Sequence, residues 1–423
     1  VQGGARCTSF VALVRILFLT QYYPPESNAP ANRVSLLARR WVARGAEVEV
    51  VTGFPNHPEG QIYPGYTNGR PLRERHDGVD VLRLPVYVAA NRGRLRRGLA
   101  YGSFCASAAS LGLVGARRPD VLIATSPQIL VGLAGAIHSA LRRVPMIFEV
   151  RDLWPDSIVA VGALSEGHPA LWGLRKLEEG LYARAARVVV VTQSFKRILG
   201  ERSVSADRVD VFPNGLDTAL FSPAPPAGRE EPDRWPGRFV VSFAGTIGMA
   251  HGIGTLLDAA RLLRDDPEVL FVVAGSGADL VQLRARAVAE RLDNVEFLGR
   301  IPRAEIPPLL RRTDLSLVML RDSPLFRTVL PSKIFEAMGS ARPILLGVDG
   351  EARELVEGAG AGVFFPPGDA ASLAAQVRRL KSDDPLRARM GAAGLHCART
   401  EYDSSVIADR YLAMIQGLVG AGG

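Results

Sequence analysis

Short, nearly continuous apolar runs alternate along this chain with polar or glycine-rich loops and with stretches of helical periodicity. Residues 14–20 read as a buried strand and 21–28 as a turn-rich loop. A helical pattern over 30–44 is stopped by Gly45, and strand character returns over 47–52. Strand, loop, helix and strand at this spacing make a βαβ unit. Further strands are expected at 79–84, 121–124, 145–149 and 188–192, with helical patterns between most of them. Apolar runs without a polar face belong to parallel sheets covered on both sides.

The first series closes near 208–217 and is followed by 223–235, rich in Pro, Gly and charge, which reads as an interdomain linker. A second series follows, with strands at 239–244, 269–274, 295–298, 315–320 and 344–346. Helices are expected at 254–263, 278–291, 306–311, 333–338 and 352–356. The fold class is therefore α/β, with two doubly wound domains: residues 1–220, a linker at 221–236, and residues 237–400. A chain of 423 residues with 47% hydrophobic content can fill two such cores. Near the end, Val406, Ile407, Tyr411, Leu412 and Ile415 mark a helix over 402–418.

Three scattered cysteines, Cys7, Cys105 and Cys397, exclude a disulfide framework and a zinc site, and no Asp, His and Cys cluster has metal-ligand spacing. No metal is expected. The apolar run within 1–14 feeds into a strand and is too short to span a membrane, so neither a signal peptide nor a transmembrane segment is expected. Charge is uneven: residues 1–220 hold 27 basic and 18 acidic side chains, and residues 221–423 hold 24 and 25. Such a field suits an anionic substrate, a lipid surface or nucleic acid, although a bias towards arginine (47 of 51 basic residues) produces it equally well. No recognition helix or aromatic-basic interleaving supports nucleic acid.

In open α/β sheets, ligands bind at the carboxyl ends of the strands, where helix N-termini offer free N–H groups. Gly245, Thr246, Ile247 and Gly248 follow the first strand of the second series, and Gly275 and Gly277 follow the next. Either pair is an ordinary tight turn or a place where backbone approaches phosphate. Pro331 and Ser332 begin a helix, which puts Lys333 in its first turn and Glu336 one turn on. A lysine there opposes the helix field unless an anion lies across the helix end. Glu336 can accept two hydrogen bonds from neighbouring hydroxyls, as on a ribose. The alternative is a solvated lysine and a capping glutamate.

Those motifs, with Gln21–Glu26 and Asn32, 54–58, 90–93, 151–156, 213–217 and 331–343, resemble the retaining glycosyltransferases of family 4. The similarity is nearest the subgroup building capsule, colanic-acid and O-antigen units. The resemblance implies a GT-B fold, two facing Rossmann-like domains with a cleft between them, and a last helix that packs back on the first domain. It implies donor binding by Gly245, Thr246, Gly248, Gly275, Thr328, Val329, Leu330 and Glu336, with Glu336 on the ribose and the glycine loop on the diphosphate. Thr328 stands where the family has a sugar-binding glutamate. Met249 and His251 stand where it has cations for the diphosphate, so Lys333 and Arg327 are the substitutes expected. The first-domain loop at 124–128 lacks the family's histidine, which leaves Asp152 as the expected catalytic or orienting residue, and Glu26, Asn32, His57, Asn91 and Arg92 as acceptor contacts.

The function implied is transfer of an acetamido or deoxy hexose, with retention, from a nucleoside diphosphate donor to an acceptor hydroxyl. Uridine is the expected base, and no cofactor is needed. The acceptor is lipid-linked or soluble. Arg92, Arg94, Arg96 and Arg97 precede the apolar segment 99–114, an arrangement that suits an anionic bilayer and, equally, a buried helix with a charged entrance. The expected location is the cytoplasm, at or near the inner face of the membrane. Glycosylation of a soluble small molecule, a sugar-nucleotide epimerase or hydrolase on the same fold, and a non-catalytic anion-binding protein are the alternatives.

Overall fold

The computed structural model describes residues 14–57, 59–88, 94–126, 128–160, 165, 167–225, 231 and 233–421. They divide into two compact units: the first takes the residues up to Val191, Lys196–Phe212 and those from Ala408 on, and the second takes Thr192–Phe195 and Pro213–Ile407.

In the first unit, β1 (Arg15–Leu19), β2 (Glu47–Gly53), β3 (Leu72–His76), β4 (Val79–Leu84), β5 (Val121–Thr125), β6 (Met146–Val150), β7 (Arg187–Val190) and β8 (Val209–Val211) form one sheet. Its order is β3-β4-β2-β1-β5-β6-β7-β8. Every neighbouring pair is parallel except β3 with β4. The central strands are buried on both faces, β5 and β6 along their whole length, as their unbroken apolar runs require. The unexpected β3 has one apolar residue in its sequence LRERH and lies at the sheet edge. Its register comes from the turn at Asp77 (φ 50°) and Gly78 (φ 82°), both left-handed as in the hairpin turn that matches strand twist.

The final helix, Ser404–Gly420, joins the first unit from Ala408 on. Trp41, on the helix Ala29–Ala43, donates its indole N–H to the Ala408 carbonyl at 2.9 Å. Tyr411 stacks on Phe212 with centroids 4.5 Å apart and meets Trp41 edge-on at 5.2 Å. The second unit begins at Pro213, ahead of residue 221, where the sequence pattern placed the linker; what is described of 221–236 belongs to that unit.

In the second unit, β9 (Phe239–Ala244), β10 (Val269–Ala274), β11 (Val295–Gly299), β12 (Leu315–Met319), β13 (Ile344–Gly347) and β14 (Gly362–Phe364) make an all-parallel sheet. The order is β11-β10-β9-β12-β13-β14. Alternate residues feed two cores: Val241, Phe243, Phe271 and Leu317 pack with Leu256 and Leu257, while Val318 and Leu346 pack with Ile334, Phe335 and Met338. The central strand β9 thus ends between β10 and β12, with Gly245 as the first residue beyond it.

Candidate functional site

Adjacent strands β9 and β10 end in Gly245 and Gly275, and their loops lock together. The Gly245 N–H donates to the Ala274 carbonyl (2.8 Å), Ile247 N–H to Ser276 (2.9 Å) and Asp279 N–H to Ile247 (3.2 Å). At Gly275 (φ 151°) a Cβ would collide with the Gly245 carbonyl oxygen, so only glycine permits this approach. At Gly245 (φ 150°) a Cβ would overlap Lys333 Cε and lie 2.5 Å from Nζ. Lys333 is therefore laid over the glycine loop, with its ammonium 5.1 Å from the centre of the Phe243 ring. It springs from the first turn of the helix Ser332–Gly339, which has Pro331 at its N-cap as the sequence pattern suggests.

This is not a solvated lysine. Burial lowers the Lys333 pKa, with the Glu336 charge opposing, and burial raises that of Glu336, with Arg303 and then Lys333 opposing. Arg303 approaches Glu336 at 3.5 Å but is 62% exposed, so this pair is weak. His251 lies edge-on to Phe243 at 5.9 Å, its Nδ1 buried without a partner. Its pKa is lowered to about 4, first by burial and next by the Lys333 charge. Among the described residues, the ammonium has only the Phe243 ring and the field of Glu336 to offset its burial. A part-buried cation over the glycine loop, with a carboxylate one turn away, is a site for an anion that also carries hydroxyls. Phe243 and Arg303 were not foreseen; nothing local in the sequence marks a contact that spans 90 residues or the 33 separating Arg303 from Glu336.

The rest of the donor set is mixed. Thr246 is exposed and Gly248 half-buried. Arg327 does not turn to the glycine loop: it pairs with Asp322 at 2.9 Å and is half exposed, which leaves Lys333 as the cation over Gly245. The backbone carbonyl of Arg327 is packed where a Cβ on Gly350 (φ 78°) would stand. The Thr328 hydroxyl closes the turn Phe326–Thr328 by donating to the Leu325 carbonyl at 2.8 Å. Val329 is extended, and Leu330 packs against the core around Phe335.

In the first unit, Glu26, His57 and Asp152 lie on carboxyl-end loops and Asn32 lies in the helix Ala29–Ala43. Glu26 is 2% exposed, and its Oε1 accepts the N–H groups of Asn56 (3.0 Å) and His57 (2.9 Å). It thus holds the loop after β2 to the loop after β1. His57 rests edge-on against Tyr22 at 5.2 Å, its pKa lowered by burial. Asn32 is exposed and donates to the Ser27 carbonyl at 3.3 Å. Asp152, directly beyond Arg151 after β6, has its pKa raised by burial, with Ser157 and the Leu153 N–H opposing. Asn91 and Arg92 lie outside the described residues.

Two doubly wound α/β units with mainly parallel sheets are the architecture of the GT-B class of glycosyltransferases. The family described as Glycosyl transferase 4-like domain matches residues 28–215, and that described as Glycosyl transferases group 1 matches residues 229–396. The chain belongs to the glycosyltransferases of family 4.

It is 27% identical over 330 residues to WcaI of Escherichia coli (strain K12), a glycosyl transferase named for colanic acid biosynthesis, covering 76% of this chain and 80% of WcaI. It is 27% identical over 317 residues to WbjE of Pseudomonas aeruginosa, named as a glycosyltransferase, covering 72% and 76%. Among solved structures, Anabaena HepE in complex with UDP and glucose superimposes with a TM-score of 0.67 at 20% identity, over 95% of this chain and 99% of that one. WaaG, a glycosyltransferase involved in lipopolysaccharide biosynthesis, does so with a TM-score of 0.66 at 16% identity, over 95% and 100%.

Proposed function

We propose that this glycosyltransferase moves an acetamido or deoxy hexose from a uridine diphosphate sugar to an acceptor hydroxyl, with retention at the anomeric carbon, in assembly of a polysaccharide or glycoconjugate. The observation that carries this reading is the part-buried Lys333 ammonium over Gly245, one turn from Glu336. Negative charge grows on the leaving diphosphate, and a fixed cation with free N–H groups at a helix start opposes it without reorganisation. Glu336 holds the ribose hydroxyls, and the departing phosphate takes the acceptor proton. Asp152 orients the acceptor. The UDP held by HepE and the name of WcaI favour this donor and product class. A mass-spectrometric screen of nucleotide sugars against lipid-linked and water-soluble acceptors tests it. Transfer from a uridine diphosphate sugar with the anomer retained supports the reading; donor hydrolysis or epimerisation without any acceptor replaces it.

Peripheral contact with an anionic membrane on the cytoplasmic side is part of this proposal. Among the described residues, the helical stretch Arg96–Gly115 is long and apolar enough to cross a membrane by length and composition. It is, however, the crossover between β4 and β5, strands of one sheet, and among its described residues it buries only Phe104, Cys105, Ala108 and Gly112. Leu99 (51% exposed) and Val114 (88%) face outward, Arg96, Arg97, Arg117 and Arg118 flank them, and no acidic residue occurs between Asp80 and Asp120. Each cation near an anionic surface contributes about 1 kcal/mol. Sedimentation with phosphatidylglycerol vesicles but not with phosphatidylcholine vesicles is expected; equal sedimentation with both removes this contact.

A further inference from the structure

The donor site contains a second basic group, which burial and Lys333 keep uncharged. His251 ends the turn Met249–His251 that continues the glycine loop, and its ring meets Phe243 edge-on at 5.9 Å. The Lys333 ammonium lies 5.1 Å from the centre of the same Phe243 ring. Two bases thus share one aromatic ring at the end of β9. Nearby carboxylates act on them through their fields, Asp279 on His251 and Glu336 on Lys333. Nδ1 of His251 is buried without a hydrogen-bond partner. Burial, and next the Lys333 charge, lower the pKa of the ring to about 4, with the Gly248 carbonyl and Asp279 opposing.

Charged groups approach this ring from each neighbouring element. Lys333 comes from the helix Ser332–Gly339, with Glu336 one turn on, and Asp279 precedes the helix Leu280–Ala289. The exposed Arg321 follows β12, its N–H on the Ala250 carbonyl at 2.9 Å and its side chain beside Gly252. On the helix Gly254–Leu262, Asp258 is taken by Arg286 at 2.5 Å. Of all these charges, that of Lys333 acts most strongly on the ring. A diphosphate over Gly245 cancels it and adds an attraction of its own, and opposite charge nearby favours the ionised form of a titrating group. The loop from Gly245 to Gly248 leads directly into the turn that carries His251, so anion and ring are neighbours along the chain.

We infer that His251 takes up a proton from solvent when the donor diphosphate settles over Gly245, becoming the second cation of the site, and that acidity therefore tightens donor binding. This rests on the donor reading given above. The empty site is spared the cost of two adjoining part-buried cations, and the filled site has both. The sign follows from the ligand-free ring, which titrates near pH 4. In the complex it titrates higher, so between the two values the complex holds more protons and affinity rises as pH falls. Above both values the ring is neutral in either state and the effect vanishes.

UDP binding to the full chain, measured by calorimetry in two buffers of different ionisation enthalpy, counts the protons taken up. The phosphates of UDP and the other groups of the site titrate alike in the wild type and in His251→Gln, so the difference between the two belongs to His251. At pH 5.5 the wild type should take up roughly 0.5 proton more than His251→Gln, and at pH 8 the counts should agree. From pH 8 to pH 5.5 the ratio of the two dissociation constants should move by about twofold in favour of the wild type. Equal proton counts at pH 5.5 overturn the inference.

Should His251→Gln fail to fold, ring NMR of the wild type carries the test. Of the six histidines, one that titrates near pH 4 without UDP should titrate at least about one pH unit higher with it, a tenfold gain in proton affinity. Unchanged titration of all six rings overturns the inference. Inorganic diphosphate separates this from failure of the donor reading. If the wild type binds no UDP but takes up the same His251-dependent proton with inorganic diphosphate, the nucleotide assignment alone falls. If UDP binds without the proton, the role of His251 alone falls, and if neither ligand binds, both fall.

Discussion

Replacing Lys333 by methionine separates anion binding from architecture. The methionine keeps the apolar stem over Gly245 and beside Phe243 and removes only the charge. Because burial depresses the ammonium's pKa and the Phe243 ring is a weak substitute for water, the ligand-free protein should lose nothing. A change within about 0.5 kcal/mol, or a gain of up to about 1 kcal/mol, is expected in chemical denaturation. With UDP the balance reverses. A charge-assisted contact to a diphosphate contributes about 1.5–3 kcal/mol, so the UDP dissociation constant should rise by about 10- to 150-fold in calorimetry. Turnover should fall by roughly 10²-fold or more, because the same charge opposes the growing charge of the leaving group. UDP affinity within twofold of the wild type would refute the anion site. A stability loss of several kcal/mol would show that the ammonium is a structural element.

Glu336→Gln should weaken UDP binding by about 1.5–3 kcal/mol and have a much smaller effect with a 2′,3′-dideoxy nucleotide; an equal penalty with both removes the ribose role. Gly275→Ala places a methyl group into the Gly245 carbonyl, so the glycine loops must separate: a stability loss above about 1 kcal/mol and loss of UDP binding are expected, and a normal melting temperature would contradict the packing. The His251 pKa is about 4 in the folded protein against 6.5 ordinarily, so between those values the unfolded chain holds more protons. Stability should therefore fall as pH drops from about 6.5 to 4, more steeply than in His251→Gln, and identical pH profiles would dismiss the burial of this ring. Transfer should persist in a metal chelator; abolition restored by one divalent ion would overturn the metal-free reading.

What the sequence disclosed depended on range. The strands Phe239–Ala244 and Val269–Ala274 were legible to the residue, because each is a nearly continuous apolar run cut off by a glycine. Leu72–His76 was not: its pairing to β4 is secured by an Asp77–Gly78 turn, while four of its five side chains are polar and carry no period. β8 (Val209–Val211) and β14 (Gly362–Phe364) are too short to show one. For the site, a helix start with a lysine and a glutamate on it was visible, because capping and spacing are local. That Lys333 folds onto Gly245, that Glu26 holds the backbone of Asn56 and His57, and that Arg327 turns to Asp322 depend on contacts or choices the local pattern does not encode.

The return of the last helix to the first unit sets a timetable for biosynthesis. Tyr411 packs against Trp41 and Phe212, and the acceptor for the Trp41 indole N–H is Ala408. All of residues 213–407 must leave the ribosome before that partner exists, roughly 10 to 40 s at about 5–20 residues per second. During that interval the second unit has the whole of its chain and can complete its core, whereas the first presents an uncovered aromatic face around Trp41 and Phe212. The half made first is thus the half finished last, and a nascent chain halted anywhere short of Tyr411 exposes a surface of the kind that chaperones bind.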